Sequence, residues 1–425
     1  MSTFLTGLAE AFHGGRARGV TSVCSSHPIV IRAALRRAAR DGGEVLIEAT
    51  CNQVNQFGGY TGMQPADFVR FVQGIAAEEG LPADRIAFGG DHLGPNPWKA
   101  EAPEAAMEKA EAMVAAYVAA GFRKIHLDAS MGCLAEPVAL DDETTAHRAA
   151  RLAARAEAVA REAGLPMPLY IIGTEVPVPG GADHVLSEVE PTAPEAARHT
   201  IAVHRSIFAE KGLSAVFERV LGIVVQPGVE FGSENVIAYR PEKAQALNGV
   251  LSAEPGLVFE AHSTDYQTQG ALAALVRDGY AILKVGPGLT FALREALYGL
   301  DLIAGELDPT YGERPLRAAM ERLMLDEPKD WKGHYHGDDA EKALQRHYSY
   351  SDRIRYYWNR PEAEAAVGRL RVALERRSIP ETLMRQFLPQ VDPALGPNGD
   401  VDALLVAAVD RELATYAAAC EPTVR

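Results

Sequence analysis

The chain reads as an α/β protein: a (β/α)8 TIM barrel over residues 1–305 with a helical extension, 306–425, packed on it. Three observations predict this. Eight short apolar runs alternate with helical runs before the alternation stops. The runs are apolar at successive positions, as strands covered on both faces of a parallel sheet must be. Polar residues follow nearly every run, whereas a doubly wound sheet, the alternative, gathers its ligand at one switch point.

Residues 1–17 predict a short helix over the barrel floor. Gly19 to Val23 is the first strand, ending at Cys24, and Ile29 to Arg40 is helical, stopped by Asp41-Gly42-Gly43. The second strand, Val45 to Glu48, ends in a carboxylate; a long polar loop and a helix from Pro65 to Glu79 follow. The third strand, Arg85 to Phe88, meets two glycines that predict a sharp turn before Asp91-His92. A helix with Met107, Ala110 and Val114 on one face leads to the fourth strand, Lys124 to Asp128. A helix over 142–163 precedes the fifth strand, Leu169 to Ile172, which ends near Glu175. The Pro/Gly-rich loop after it has the length of a lid, and a helix over 194–211 returns. Strands six to eight run from Leu221 to Val225, Leu257 to Glu260 and Ala281 to Val285. Beyond them, 306–340 is charged and turn-rich, and helices are predicted over 361–377 and 401–418.

Composition limits the function. A formal charge of -15 without a basic block argues against nucleic acid. No run is long and apolar enough to span a membrane, and no signal peptide is visible. The four scattered cysteines form neither a disulfide framework nor a zinc ribbon and suit a reducing cytoplasm. No Gly-x-Gly-x-x-Gly follows the first strand, so NAD is not expected; a Walker A loop and a nucleophilic serine elbow are also missing.

Strand ends of a barrel share one mouth, which would gather Cys24, Glu48, Asp91, His92, Asp128, Glu175, Gln226, Glu230, His262, Asp265 and Lys284. So many carboxylates call for a cation. His92, Glu230 and His262 are the preferred ligands, two imidazoles and a carboxylate around an open position. Asp183-His184 in the lid is a rival pair, and loop hydrogen bonds or helix caps are the structural alternative. Lys284 with Gly286 and Gly288, opening a helix, reads as an anion cradle, to which Ser263 and Thr264 add hydroxyls. The alternative there is an ordinary glycine-rich turn; a Schiff base at Lys284 ranks lower. Arg353 and Arg355 would both face an anion if their segment is extended. If it is helical they point apart and the aromatic run around them is packing.

The stretches IEATCNQVNQFGGYTGM, GGDHLGPN, LDASMGC, IGTEVPVPGG, FEAHSTDYQ, KVGPGLTFALREALY and YSYSDRIRYYW together resemble the tagatose-bisphosphate aldolase accessory-subunit family of the GatZ/KbaZ type. The resemblance covers almost the whole chain. It implies either a C4 epimerase interconverting tagatose 6-phosphate and fructose 6-phosphate, or a non-catalytic partner of a class II aldolase subunit. A sugar-phosphate binding protein without turnover is a third reading. Likeness to the class II aldolases implies a proton-transferring Asp91, zinc-binding His92 and His262, a phosphate loop at Lys284 to Gly288, and Glu230 where those enzymes have a third histidine. The cofactor implied is a divalent metal: zinc, with manganese or cobalt as alternatives. C4 is not adjacent to the C2 carbonyl, so without a nucleotide cofactor the expected route is retro-aldol cleavage and re-formation of the C3–C4 bond. Asp91 or Glu48 would take the C4 hydroxyl proton, with Asp128 in reserve and Glu175 completing the set. The expected partner is a small sugar phosphate, and the expected assembly a cytoplasmic homo-oligomer.

Overall fold

A computed structural model of the chain describes residues 3–173, 188–421 and 423–424. Eight parallel strands close a barrel: Val20–Cys24, Val45–Thr50, Ile86–Leu93, Lys124–Leu127, Leu169–Ile172, Val220–Val224, Val258–Ala261 and Tyr280–Val285. The eighth closes on the first, with Lys284 opposite Ser22. Two apolar layers explain why the strands are apolar at successive positions. Outward residues such as Ile47, Ile125, Phe259 and Leu283 join the core under the surrounding helices. Inward residues at the lower end, Leu46, Ala87, Ile171, Val258 and Ile282, pack on Phe4, Leu5, Leu8 and Ala9 of the N-terminal helices Thr3–Thr6 and Leu8–His13. Those helices form the floor the sequence predicted.

The third strand departs from expectation. The chain does not turn at Gly89-Gly90; the strand runs through to Leu93, with Gly89 opposite Glu48 and Asp91 opposite Thr50. Glycine serves space here rather than a turn. A Cβ on Gly89 would lie 2.3 Å from Glu48 Oε1, so its absence lets the Glu48 side chain cross the barrel. A register irregularity between Gly90 and Leu93 follows, and His92 sits in it with φ 50. Such a backbone is costly for a non-glycine residue and concentrates at functional sites.

One finding revises the reading of the C-terminal third. The turn-rich stretch contains a helix, Pro315–Asp326. Its buried stripe of Leu316, Met320, Leu323 and Met324 is diluted by Arg and Glu in the sequence. The last helix, Val401–Cys420, lies against helices Pro28–Asp41, Gln269–Arg277 and Pro287–Leu307 and touches the first barrel strand. Gly19 N donates to Cys420 O at 3.0 Å, and Tyr416 Oη donates to Thr264 O at 2.8 Å. Residues Thr423–Val424 then pair with Arg16–Ala17. No helix among the described residues is long and apolar enough to cross a membrane.

Candidate active site

Three imidazoles meet at the barrel mouth. The ring centroids of His92, His126 and His262 lie 4.8, 4.9 and 5.4 Å apart. Each ring is anchored from behind by an oxygen. His92 Nδ1 bonds Asp128 Oδ2 at 2.7 Å, His126 Nε2 bonds Gly173 O at 2.9 Å, and His262 Nε2 bonds Glu260 Oε1 at 2.9 Å. Metal-binding histidines are held in this way, one nitrogen tied to a carboxylate or carbonyl so that the other is aimed; the second nitrogen of His126, Nδ1, accepts from His92 N at 3.2 Å and lies 3.1 Å from Asp91 Oδ1. Among the described residues, Asp91, His92, His126 and His262 each offer a ligand atom within 4.8 Å of the others. Burial lowers the His262 pKa to about 4, which keeps that ring in the neutral, ligating form. Burial acts the same way on His92 but is outweighed by Asp91 and Asp128, which raise it.

Below the imidazoles lies an alternating charge network. Lys124 is fully buried and bridges Glu48 and Glu260, 2.7 Å to each. Lys284 pairs with Glu48, with Asp91 at 2.8 Å and with Glu260 at 3.9 Å. Burial opposes both lysine charges; the carboxylates win and raise both pKa values. Asp91 is likewise held well below the usual carboxylate range, against burial, by His92, Lys284 and His126. Four carboxylates, Glu48, Glu260, Asp91 and Asp128, thus share this interior with two ammonium groups. A divalent cation beside the three anchored rings would neutralise the remainder, so the residues present fit such an ion.

The cavity above this floor holds about 220 Å³ and is lined by Asp91, His92, Asp128, His262, Ser263 and Lys284, among others. Cys24 also reaches it, 3.7 Å from Glu48 Oε2, with its thiol pKa raised by burial. Glu48 lies beneath the lining, committed to the lysines.

Several expected residues sit elsewhere or act otherwise. Glu230 is buried, its Oε1 accepts from Phe231 N at 2.9 Å, and Oε2 has no partner among the described residues. It is not among the clustered ligand atoms. Burial pushes its pKa up to about 7. The predicted anion cradle is filled from within: Gly286 N and Gly288 N both donate to Asp265 Oδ1, at 2.9 and 2.7 Å. Lys284 points down to the carboxylates rather than into that loop. Gln226 holds its own turn by accepting from Gly228 N and Val229 N. Arg353 and Arg355 lie on a 3-10 turn, Arg353–Tyr357, and part company: Arg355 lines the cavity, while Arg353 bonds the Asp330 carbonyl. Glu175, Asp183 and His184 lie outside the described residues.

Sequence reasoning missed His126, Lys124 and Glu260. The signal was there: in Lys124-Ile-His126-Leu-Asp128 every second residue is polar, the period of one strand face. Glu260 and His262 repeat the pattern at the end of the seventh strand.

Residues 5–421 match the protein family described as D-tagatose-1,6-bisphosphate aldolase subunit GatZ/KbaZ-like. The chain is 68% identical over 419 residues, 99% of each protein, to one from Agrobacterium fabrum (strain C58 / ATCC 33970) named D-tagatose 6-phosphate 4-epimerase. It is also similar to a crystal structure from Sinorhizobium meliloti 1021 described as a probable tagatose 6 phosphate kinase. There the TM-score is 0.88 at 56% identity, covering 95% of this chain and 100% of that one.

Proposed function

The chain belongs to the GatZ/KbaZ-like family, and from that premise we propose that it is a metal-dependent 4-epimerase interconverting tagatose 6-phosphate and fructose 6-phosphate by retro-aldol cleavage and re-addition. The observation that carries the reading is the trio of back-anchored imidazoles beside an ionised carboxylate at one mouth. His92, His126 and His262 would hold the cation, with Glu230 outside the set. When bound, a divalent cation supplies Lewis acidity to the substrate's carbonyl and neighbouring hydroxyl oxygens. Asp91 takes the C4 hydroxyl proton as the C3–C4 bond breaks, and returns it after the aldehyde has presented its other face. Lys284, 2.8 Å from Asp91, keeps that carboxylate charged between proton transfers. Asp128 and Glu260 aim the His92 and His262 rings. Glu48 holds Lys284 from below. Ser263 and Arg355, both on the cavity wall, suit the phosphate end.

The test is an NMR assay of tagatose 6-phosphate with zinc, manganese or cobalt, with and without chelator. Conversion to fructose 6-phosphate that stops on chelation is expected; no conversion with any of the three metals overturns the reading. The family description favours a second reading, a subunit that raises the activity of a partner aldolase. Its mark would be activation of that partner by an Asp91→Asn variant as well as by the unaltered chain.

A further inference from the structure

Away from the barrel mouth, three arginines converge on the exposed end of helix Asp339–Tyr348. Arg314 and Arg317 open helix Pro315–Asp326, both half-buried. Arg294 is 2% exposed on helix Pro287–Leu307. The Arg314 guanidinium lies 5.7 Å from the Tyr298 ring, and that of Arg294 lies 5.9 Å from the Tyr348 ring. The two tyrosine rings are 6.3 Å apart, so Arg294 and Arg314 lie against one aromatic pair.

These cations are under-used. Arg294 Nη2, Arg314 Nε and Arg317 Nε are buried without a hydrogen-bond partner among the described residues. Carboxylates nearby are committed elsewhere. Asp352 takes Arg294 Nε at 2.8 Å, Glu321 takes Arg346 and His347, and Asp301 takes the backbone N–H groups of Leu316 and Arg317. Because Asp301 caps that helix, its N-terminus is not what attracts an anion. Arg314 and Arg317 both reach the Tyr348 phenol, 43% exposed, whose pKa they lower against the effect of burial. A neutral phenol is a weak acceptor for two forked cations, and leaving buried N–H groups unpaired is destabilising.

We propose that Arg294, Arg314 and Arg317, roofed by Tyr348, form a second anion site for a phosphate group, separate from the catalytic cavity. A tetrahedral dianion offers enough acceptors to satisfy several guanidinium N–H groups at once, which a single carboxylate does not. The site is wired to the cavity. Arg294 Nε and Thr290 Oγ1 both donate to Asp352, which opens the turn carrying Arg355 to the cavity wall. Occupancy would therefore steady that turn. Free phosphate and a phosphate monoester share the chemistry required.

Hydrogen exchange of the intact protein tests this, with inorganic phosphate and fructose 6-phosphate as separate ligands at constant ionic strength. Phosphate is expected to slow exchange across 311–320 and 345–350, segments that do not line the catalytic cavity. The double variant Arg314→Gln/Arg317→Gln should weaken that protection about tenfold or more, and lysine at both positions should restore part of it. Protection by fructose 6-phosphate alone would identify the monoester as the source. Tyr348→Phe removes the competing acceptor, so it should bind phosphate more tightly; unchanged binding by this variant overturns the proposal, which decides the matter if the double variant does not fold. Protection confined to the catalytic cavity with both ligands, or equal protection in the wild type and the double variant, overturns the proposal.

Discussion

Asp91 is held at 2.8 Å from Lys284 and 3.1 Å from His126, charged although buried. Asp91→Asn keeps the shape and removes the base, so kcat should fall by about 10²–10⁴ with bound metal retained. His126→Ala and His262→Ala should instead lose the metal, read by metal analysis of the purified protein. Glu230→Gln should keep it; metal loss there would return Glu230 to the ligand set. Asp128→Asn leaves His92 with a weaker anchor, and metal affinity should drop about 10–100-fold. At this scale the sequence was half legible. Asp91-His92 and His262 stood out because they end strands beside polar loops. His126 did not, because it lies inside a strand between apolar residues, where a histidine is ordinarily a satisfied core group.

Secondary-structure elements decide which of these groups can meet. Gly89 on the third strand makes room for Glu48 on the second, so Gly89→Ala should push Glu48 off its lysines. Lys124→Met would strand Glu48 and Glu260 together in the interior. Either change should destabilise by about 3–5 kcal/mol in denaturant unfolding, since each leaves buried charge unpaired. Helix Asp339–Tyr348 contributes a pH effect. Burial, helped by Arg317, lowers the pKa of His347 from 6.5 to about 4, against the pull of Glu321; Tyr298 Oη and its Nδ1 share a hydrogen bond of 2.6 Å. A histidine kept neutral by folding adds stability above its unfolded pKa. That contribution is lost as pH falls from 6.5 toward 4, and below that window the folded ring is protonated as well. His347→Gln should flatten the pH dependence of unfolding across that window. The aromatic run before Trp358 was ambiguous in sequence because extended and helical readings point Arg353 and Arg355 differently. The 3-10 turn, packed on Tyr266 and Phe291 through Tyr350, settles it.

At the scale of the molecule, the extension completes the barrel wall. A chain cut before Val401 would expose the face of helix Pro28–Asp41 that Val401–Cys420 covers, and should be aggregated or unfolded by circular dichroism and light scattering. The eight-unit alternation, the floor helix and the polar strand ends were all determined by the sequence, because apolar periodicity and turn residues are local properties. Three things belonged to tertiary structure alone. His126, rather than Glu230, joins the clustered imidazoles. Asp265 fills the loop that reads as an anion cradle. Lys284 turns inward to the carboxylates. Each depends on which side chain reaches a shared point first, and that is set by strand register, barrel closure and the space left by glycines far apart in the chain.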